Sequence, residues 1–309
     1  MPEMPEAAEA PVTVLALVEQ MADRLEAAGL SYADVFVQGT TNAFDEAAWL
    51  VLWRLGMPLD DLDSVAKQPV AQEQRAQVAM LLEARISTRK PAAYLTNEAW
   101  LMGVPFYVDE RVIIPRSLIA ELLVDASIDP WLNEETRRVL DLCTGNGSLA
   151  VLAAMTYPDV NVDAADISAD ALAVARINVE RHQLAGRISL IESDGLAACH
   201  GLSNGGYDLI LCNPPYVNAA SMAALPAEFR AEPALALAGN SLGGSDGMDF
   251  IRGLFLNVAA QMNENAVLVL EIGHERANFE RAFPHLAPLW FETSAGADQV
   301  MLLTREQLA

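Results

Sequence analysis

Leu209-Ile210-Leu211-Cys212 runs straight into Asn213-Pro214-Pro215-Tyr216, and this junction restricts the fold more than any composition does. Four consecutive apolar residues read as a buried strand. Two prolines then stop it, because neither carries a backbone N–H and both fix φ. Pro214 also turns Asn213 away from helical geometry. The strand must end in a rigid polar tip made of an amide, free carbonyls and an aromatic ring. Such a tip suits a planar NH2 group. The Asn213 side-chain oxygen and a neighbouring backbone carbonyl can each accept one of its hydrogens, and the Tyr216 ring can cover its face. The simpler reading of the same residues is a proline-rich turn after a core strand.

The strand is one of a series. Arg138–Leu142, Val160–Ala164 (ending at Asp166), Arg187–Ile191 (ending near Asp194), Tyr207–Cys212 and Ala266–Ile272 read as strands. Helices are expected at Leu149–Met155, Ala169–His182 and Asp249–Met262, and two further extended pieces, 289–292 and 299–303, close the chain. Strand–helix alternation predicts an α/β fold: a mostly parallel, Rossmann-like sheet with helices on both faces. Ligands of such sheets bind at the carboxyl ends of the strands. Asp141, Gly145, Asp166, Asp194 and Asn213 all fall at those ends, so one crevice can collect them.

Ahead of the sheet lies a different pattern. Residues 1 to about 10 are expected to be disordered. Val14, Leu15, Leu17, Val18, Met21 and Leu25 recur at helical spacing up to Gly29. Helices over about 45–55, stopped by Gly56 and Pro58, and about 71–88, ended by Pro91, follow. Trp49 and Trp53, one turn apart, read as core. Between 99 and 114 the pattern changes to a short hairpin or two extended pieces, and Pro115-Arg116-Ser117 leads into a helix carrying Leu118, Ile119, Leu122 and Leu123. The expected organisation is an N-terminal helical, substrate-recognition domain over 1–95, a hairpin and connector over 96–125, and a catalytic domain over 126–309.

Composition narrows the function. The chain has 309 residues, 52% of them hydrophobic, enough for a substantial core. No run approaches the ~18 apolar residues of a membrane span, and the acidic start lacks a signal-peptide pattern. Cys143, Cys199 and Cys212 form no CxxC pair, which reads as reduced and cytoplasmic. His182, His200, His274 and His285 are scattered without metal-ligand spacing, so no metal is expected. The net charge is −23. Nucleic-acid binders usually present a basic face, and none is visible, so neither free nucleic acid nor a membrane is an expected partner. The acidity agrees with a basic protein partner drawn in by electrostatic steering.

Gly145 and Gly147 allow close approach of a ligand to the backbone. The dinucleotide pattern G-x-G-x-x-G is absent, which argues against a pyrophosphate. Asp166, at the end of the next strand, can accept both hydroxyls of a ribose. Asp141 would repel phosphate and suits an ammonium group, and Asp194 can meet an adenine. A ligand with a ribose, an adenine and an amino-acid end fits this set: S-adenosylmethionine. Taken singly, each acid reads equally well as a helix cap or surface group.

Asp141-Leu142-Cys143-Thr144-Gly145-Asn146-Gly147, Asp166-Ile167-Ser168 and Asn213-Pro214-Pro215-Tyr216, at these separations, resemble the class I methyltransferases that modify glutamine at its side-chain nitrogen, the protein N5-glutamine methyltransferases. The resemblance runs from about Arg89 to the C-terminus. It implies a seven-stranded S-adenosylmethionine-dependent methyltransferase sheet. It also implies cofactor contacts from Asp141, Thr144, Gly145, Asn146, Gly147, Asp166, Ile167, Asp194 and Asn213, and catalysis by Asn213, Pro214, Pro215 and Tyr216. Within the family, Ala93–Asn97, Tyr107–Arg111, Pro115-Arg116-Ser117 and Cys143 look like the branch whose substrate is a large-subunit ribosomal protein, L-three. The sister branch, acting on release factors, typically has Pro-Arg-Pro-Asp-Thr-Glu at 115–120. Release-factor methylation, adenine-N6 methylation of nucleic acid and a non-catalytic S-adenosylmethionine-binding adaptor are the alternatives.

Overall fold

The computed structural model describes residues 11–30, 39–199 and 205–309. The disorder expected of the first ten residues falls outside this range. The chain divides into two compact units, Met1–Thr96 and Asn97–Ala309.

The first unit is helical, with its main helices at Val14–Ala27, Ala43–Leu55 and Gln72–Thr88. Local chemistry sets their ends. Thr13 caps the first by accepting from the Ala16 N–H, and Asn42 caps the second by accepting from the Asp45 N–H. Gly56 closes the second helix at φ 65°, a left-handed position that a glycine occupies without strain. Val14, Leu17, Val18, Met21 and Leu25 bury one helical stripe against Leu50, Val51, Val78 and Leu82. Trp49 packs against this core from its edge, and Trp53 is half-buried.

The second unit opens with the expected hairpin. β1 (Ala99–Leu101) and β2 (Val104–Phe106) pair antiparallel across a turn at Met102 and Gly103. After the connector and the helix Ile119–Val124 come β3 (Arg138–Leu142), β4 (Asn161–Asp166), β5 (Ile188–Glu192), β6 (Tyr207–Cys212), β7 (Met262–Glu271), β8 (Leu289–Trp290) and β9 (Val300–Thr304). They form one seven-stranded sheet in the order β5-β4-β3-β6-β7-β9-β8. The pairs β5–β4, β4–β3, β3–β6 and β6–β7 are parallel, and β7–β9 and β9–β8 are antiparallel.

Strand alternation divides the core between the two faces. Val139, Leu209, Leu211, Val267 and Val269 point to one face, covered by the helices Ile119–Val124 and Ser148–Thr156. Leu140, Leu142, Ile210, Cys212, Leu268 and Leu270 point to the other, covered by Asp249–Phe255, Val258–Gln261 and Arg276–Ala282. Burial on both faces explains why these strands read as nearly unbroken apolar runs. The helix expected over 249–262 is interrupted: it ends at Phe255, restarts at Val258, and Met262 already belongs to β7. Asn257, with its short polar side chain, is the break, and the Ile251/Leu254/Val258 stripe continues across it.

Chain order makes the site. From β3 the chain moves outward to β4 and β5, then returns to place β6 on the other side of β3. The carboxyl ends of β3 and β6 therefore flank a topological switch point, where open α/β sheets bind ligands.

Candidate active site

The loop after β3 is built around Asp141. Its side chain is only 1% exposed. One carboxylate oxygen accepts the Thr144 hydroxyl at 2.5 Å and the Ala150 N–H at 2.9 Å, which ties the strand to its loop and to the next helix. The other oxygen has no partner among the described residues. Burial pushes the Asp141 carboxyl up to about 7, against the lowering effect of its two donors. Asn146 is also buried. Its side-chain oxygen accepts from the Ser148 N–H, while its amide nitrogen finds no partner among the described residues. The loop thus holds one unspent acceptor and one unspent donor.

Gly145 and Gly147 have φ of +55° and +80°. A Cβ on Gly147 would press on Ala175 at 3.2 Å, so helix Ala169–Arg181 requires glycine there. A Cβ on Gly145 would meet nothing within 4 Å, so space is open beside that backbone. Cys143, with φ +63°, takes a left-handed conformation that costs a side chain of the order of 1–2 kcal/mol.

Asp166 ends β4 and joins the same loop. Its carboxylate accepts from the Gly145 N–H and the Ser168 N–H, each at 2.9 Å. Those two bonds occupy about half of a carboxylate's acceptor capacity. Burial raises its pKa. The Asp166 carbonyl also accepts from the Ser193 N–H at 2.9 Å, which brings exposed Asp194 beside it. Ile167 follows, 49% exposed. The structure thus gathers Asp141, Thr144, Gly145, Asn146, Gly147, Asp166, Ile167 and Asp194 along the ends of β3, β4 and β5. Asp141 differs from the simple expectation of a ligand-facing acid, because half of its carboxylate is consumed in holding the loop.

β6 delivers the second half. Leu142 pairs with Cys212, so Asn213 emerges level with the start of the glycine loop. Asn213 is half-buried, and among the described residues its side chain makes no hydrogen bond. Pro214 is buried, and Pro215 and Tyr216 are half-buried. Three distant glycines make room for this tip. A Cβ on Gly247 would lie 2.1 Å from the Tyr216 carbonyl oxygen, one on Gly239 2.8 Å from the Tyr216 carbonyl carbon, and one on Gly273 2.6 Å from the Tyr216 ring. Beyond it, Val217 exchanges backbone bonds with Leu237 and Gly239, which folds 218–238 back on the tip.

Several contributors were not legible as site residues. Glu271, at the end of β7, accepts from the Ser117 hydroxyl, the Leu118 N–H and the Tyr216 hydroxyl. Arg116 forms a two-pronged ion pair with buried Glu232 at 2.6 and 2.7 Å. Asn178, fully buried, donates to the carbonyls of Tyr107 and Asn146 and accepts from the Tyr107 N–H, linking the segment after the hairpin to the glycine loop. One signal was available for Glu271: an acid directly after the apolar run Ala266–Leu270.

A cavity of about 500 Å3 lined by Leu132, Arg137, Tyr157 and Val160 lies at the opposite, amino end of the strands and gathers no catalytic set. Among the described residues, no cluster of His, Cys, Asp or Glu has the arrangement of a metal site. No helix among them is long and apolar enough to cross a membrane.

Comparison with known proteins agrees with this geometry. The methyltransferase small domain matches residues 120–239. The catalytic domain of hMettl16 bound to a MAT2A 3′UTR hairpin superposes with a TM-score of 0.50 at 15% identity, over 77% of this chain and 83% of that one, a likeness of fold alone. Ribosomal protein uL3 glutamine methyltransferase of Bordetella pertussis is 48% identical over 96% of both chains. The proteins of that name from Neisseria gonorrhoeae and Bradyrhizobium diazoefficiens are 46% and 41% identical, over 98% and 96% of this chain and 98% and 92% of their own. A seven-stranded class I methyltransferase sheet, a glycine loop closed by two acids and an Asn-Pro-Pro-Tyr tip at the switch point therefore have one common explanation: this chain belongs to the family of ribosomal protein uL3 glutamine methyltransferases.

Proposed function

We propose that the protein transfers the methyl group of S-adenosylmethionine to the side-chain amide nitrogen (N5) of a glutamine in large-subunit ribosomal protein uL3. The observation that carries the chemistry is the Asn213 amide, unspent among the described residues at the switch point and backed by two prolines. The names of the relatives support the substrate. The charge of −23 fits a basic ribosomal protein better than free nucleic acid. Acting on such a substrate, the enzyme works in the cytoplasm.

The loop fits the cofactor on its own chemistry. The unspent Asp141 oxygen and Asn146 amide supply an acceptor and a donor, as the ammonium and carboxylate of an amino-acid end require. Asp166 retains acceptor capacity for ribose hydroxyls, Ile167 offers an exposed apolar face, and the space beside Gly145 admits close backbone approach. Thr144 and Gly147 shape the loop, and Asp194 stands beside Asp166 on the adenine side. S-adenosylmethionine supplies, when bound, an electrophilic methyl group on a sulfonium.

The remaining work falls to the tip. An amide nitrogen is a poor nucleophile because its lone pair is shared with the carbonyl, on the scale of the ~18–20 kcal/mol amide rotation barrier. The Asn213 side-chain oxygen and the Pro214 carbonyl accept the two amide hydrogens and stabilise positive charge growing on nitrogen. Pro214 and Pro215 hold both acceptors rigid, and Tyr216 packs over the amide plane. Orientation of this kind is worth roughly 7–11 kcal/mol in favourable cases. No strong base is required, since the surplus proton leaves to solvent after transfer.

The test is incubation of the purified protein with isotopically labelled S-adenosylmethionine and ribosomal proteins from cells lacking this enzyme, followed by mass spectrometry. Label on a uL3 glutamine is expected. Label confined to release factors, or to RNA, would overturn the substrate assignment.

A further inference from the structure

Glu271 sits where β7 ends beside β6. Cys212 pairs with Leu270, so the next residues on the two strands are Asn213 and Glu271. Its carboxylate is 4% exposed. Three donors converge on it: the Ser117 hydroxyl at 2.6 Å and the Leu118 N–H at 2.9 Å on one oxygen, and the Tyr216 hydroxyl at 3.4 Å on the other. The nearby Arg116 guanidinium is committed to Glu232 through both prongs. A buried carboxylate held chiefly by neutral donors is costly, and apolar packing alone would fill the place more cheaply.

The donor set explains why an acid stands there. A glutamine side chain has one acceptor oxygen and one NH2 group. With its oxygen toward Ser117 and Leu118, it would turn its NH2 to the Tyr216 hydroxyl, which would have to reverse from donor to acceptor and swing its hydrogen away. Only a carboxylate accepts all three. The Tyr216 ring is confined from another side as well, because Gly273, two residues beyond Glu271, leaves just enough room for it.

Resting on the reading of Tyr216 as the residue that covers the target amide, we infer that Glu271 is a positioning residue for catalysis. It ties the Tyr216 hydroxyl to the Ser117–Leu118 connector, and so fixes the ring over the amide held by Asn213. Ser117 and Tyr216 are 99 positions apart in sequence, and this carboxylate bridges them.

Three variants test the inference: Glu271→Gln, Tyr216→Phe and the double variant. A displaced positioning group typically costs up to about 10²-fold, and we expect kcat on uL3 to fall roughly tenfold or more in Glu271→Gln. The affinity for S-adenosylhomocysteine, measured by calorimetry, and the KM for uL3 should stay within about threefold of wild type. Tyr216→Phe should lose a comparable factor, and the double variant should lose no more than the worse single one. A second readout is independent of turnover. In protein carrying 13C-labelled tyrosine, the Tyr216 resonance, identified by its absence in Tyr216→Phe, should move in Glu271→Gln while the other tyrosines stay. Wild-type protein inactive on uL3 would refute the substrate reading and leave the resonance test standing. Should Glu271→Gln fail to fold, Tyr216→Phe alone decides, because it removes only the tether. Normal kcat per folded molecule in either single variant, multiplicative losses in the double variant, or an unmoved Tyr216 resonance would overturn the inference.

Discussion

Glu46 in the helical unit is buried in the opposite way to Asp141 and Glu271 in the second unit, where the Arg116–Glu232 ion pair shows that both modes occur. In the helical unit, Glu46 is buried against Arg85, whose Nε lies 2.7 Å from it and whose side chain is fully buried. In the second unit, Asp141 and Glu271 are equally buried but are held by hydroxyls and backbone N–H groups. A charge matched by a cation is at rest and can only hold structure. A charge left to neutral donors keeps its pKa raised by burial and stays responsive to a positive ligand or a displaced hydrogen bond. The first arrangement serves a scaffold and the second serves a reacting site.

The hardest blow to this contrast would come from Arg85→Ala. Removing one partner of a buried ion pair strands the other charge and typically costs about 3–5 kcal/mol. We expect a loss of that size in urea unfolding, with the cofactor affinity of the molecules that remain folded unchanged. A loss below about 1 kcal/mol would show that the pair does not hold the helical unit together.

Asn213→Ala should behave in the reverse manner. Removing one preorganised acceptor is expected to lower turnover by on the order of 10²–10³, with little change in melting temperature and cofactor affinity largely retained. Asn213→Asp keeps an acceptor and should lose less. Near-normal turnover by well-folded Asn213→Ala would reduce the tip to a strand terminator and remove the amide clamp.

Asp141 predicts a pH effect whose sign follows from its neutral-donor surroundings. Its folded pKa, about 7, lies above the unfolded carboxylate value of 3.8. Its contribution to stability is therefore fully present below pH ~4 and is lost as pH rises through about 7. Binding of a cationic amino-acid end favours the ionised form, so cofactor affinity should fall by roughly tenfold from pH ~8 to pH ~6. Asp141→Asn should flatten that step. Calorimetry across the range checks it, and a step that survives Asp141→Asn belongs to another group.

The smallest effect concerns the exposed charge outside both buried sites. The excess of acids gives −23 overall and should speed encounter with a basic substrate. Attraction of this kind is screened beyond about 8 Å at physiological ionic strength. Stopped-flow association with uL3 should slow as salt rises, while the Glu46–Arg85 contribution to unfolding stays nearly constant. An association rate indifferent to salt would remove steering from the account.

Much of this molecule was legible along the chain. Strand–helix alternation announced the sheet, and unbroken runs such as Leu209–Cys212 announced strands buried on both faces. The polar residues that end those runs marked where the strands stop. Asp141, Asp166 and Asn213 could be read as one crevice because parallel strands align their carboxyl ends. The break at Asn257 was missed because the apolar stripe runs through it unchanged. The supports of the tip were missed for a different reason. Ser117 and Glu271 are 154 positions apart, and Gly239, Gly247 and Gly273 matter only because Tyr216 is folded against them. Periodicity and turn chemistry are local, so the sequence by itself determined the main strands and helices and the residue types of the tip, but not every boundary, as the break at Asn257 and the early start of β7 at Met262 show. Which donors meet which buried acid depends on chain order in the sheet and on side-chain packing between distant segments. Only the tertiary structure decided that Glu46 would meet a guanidinium and that Asp141 and Glu271 would meet hydroxyls and backbone N–H groups.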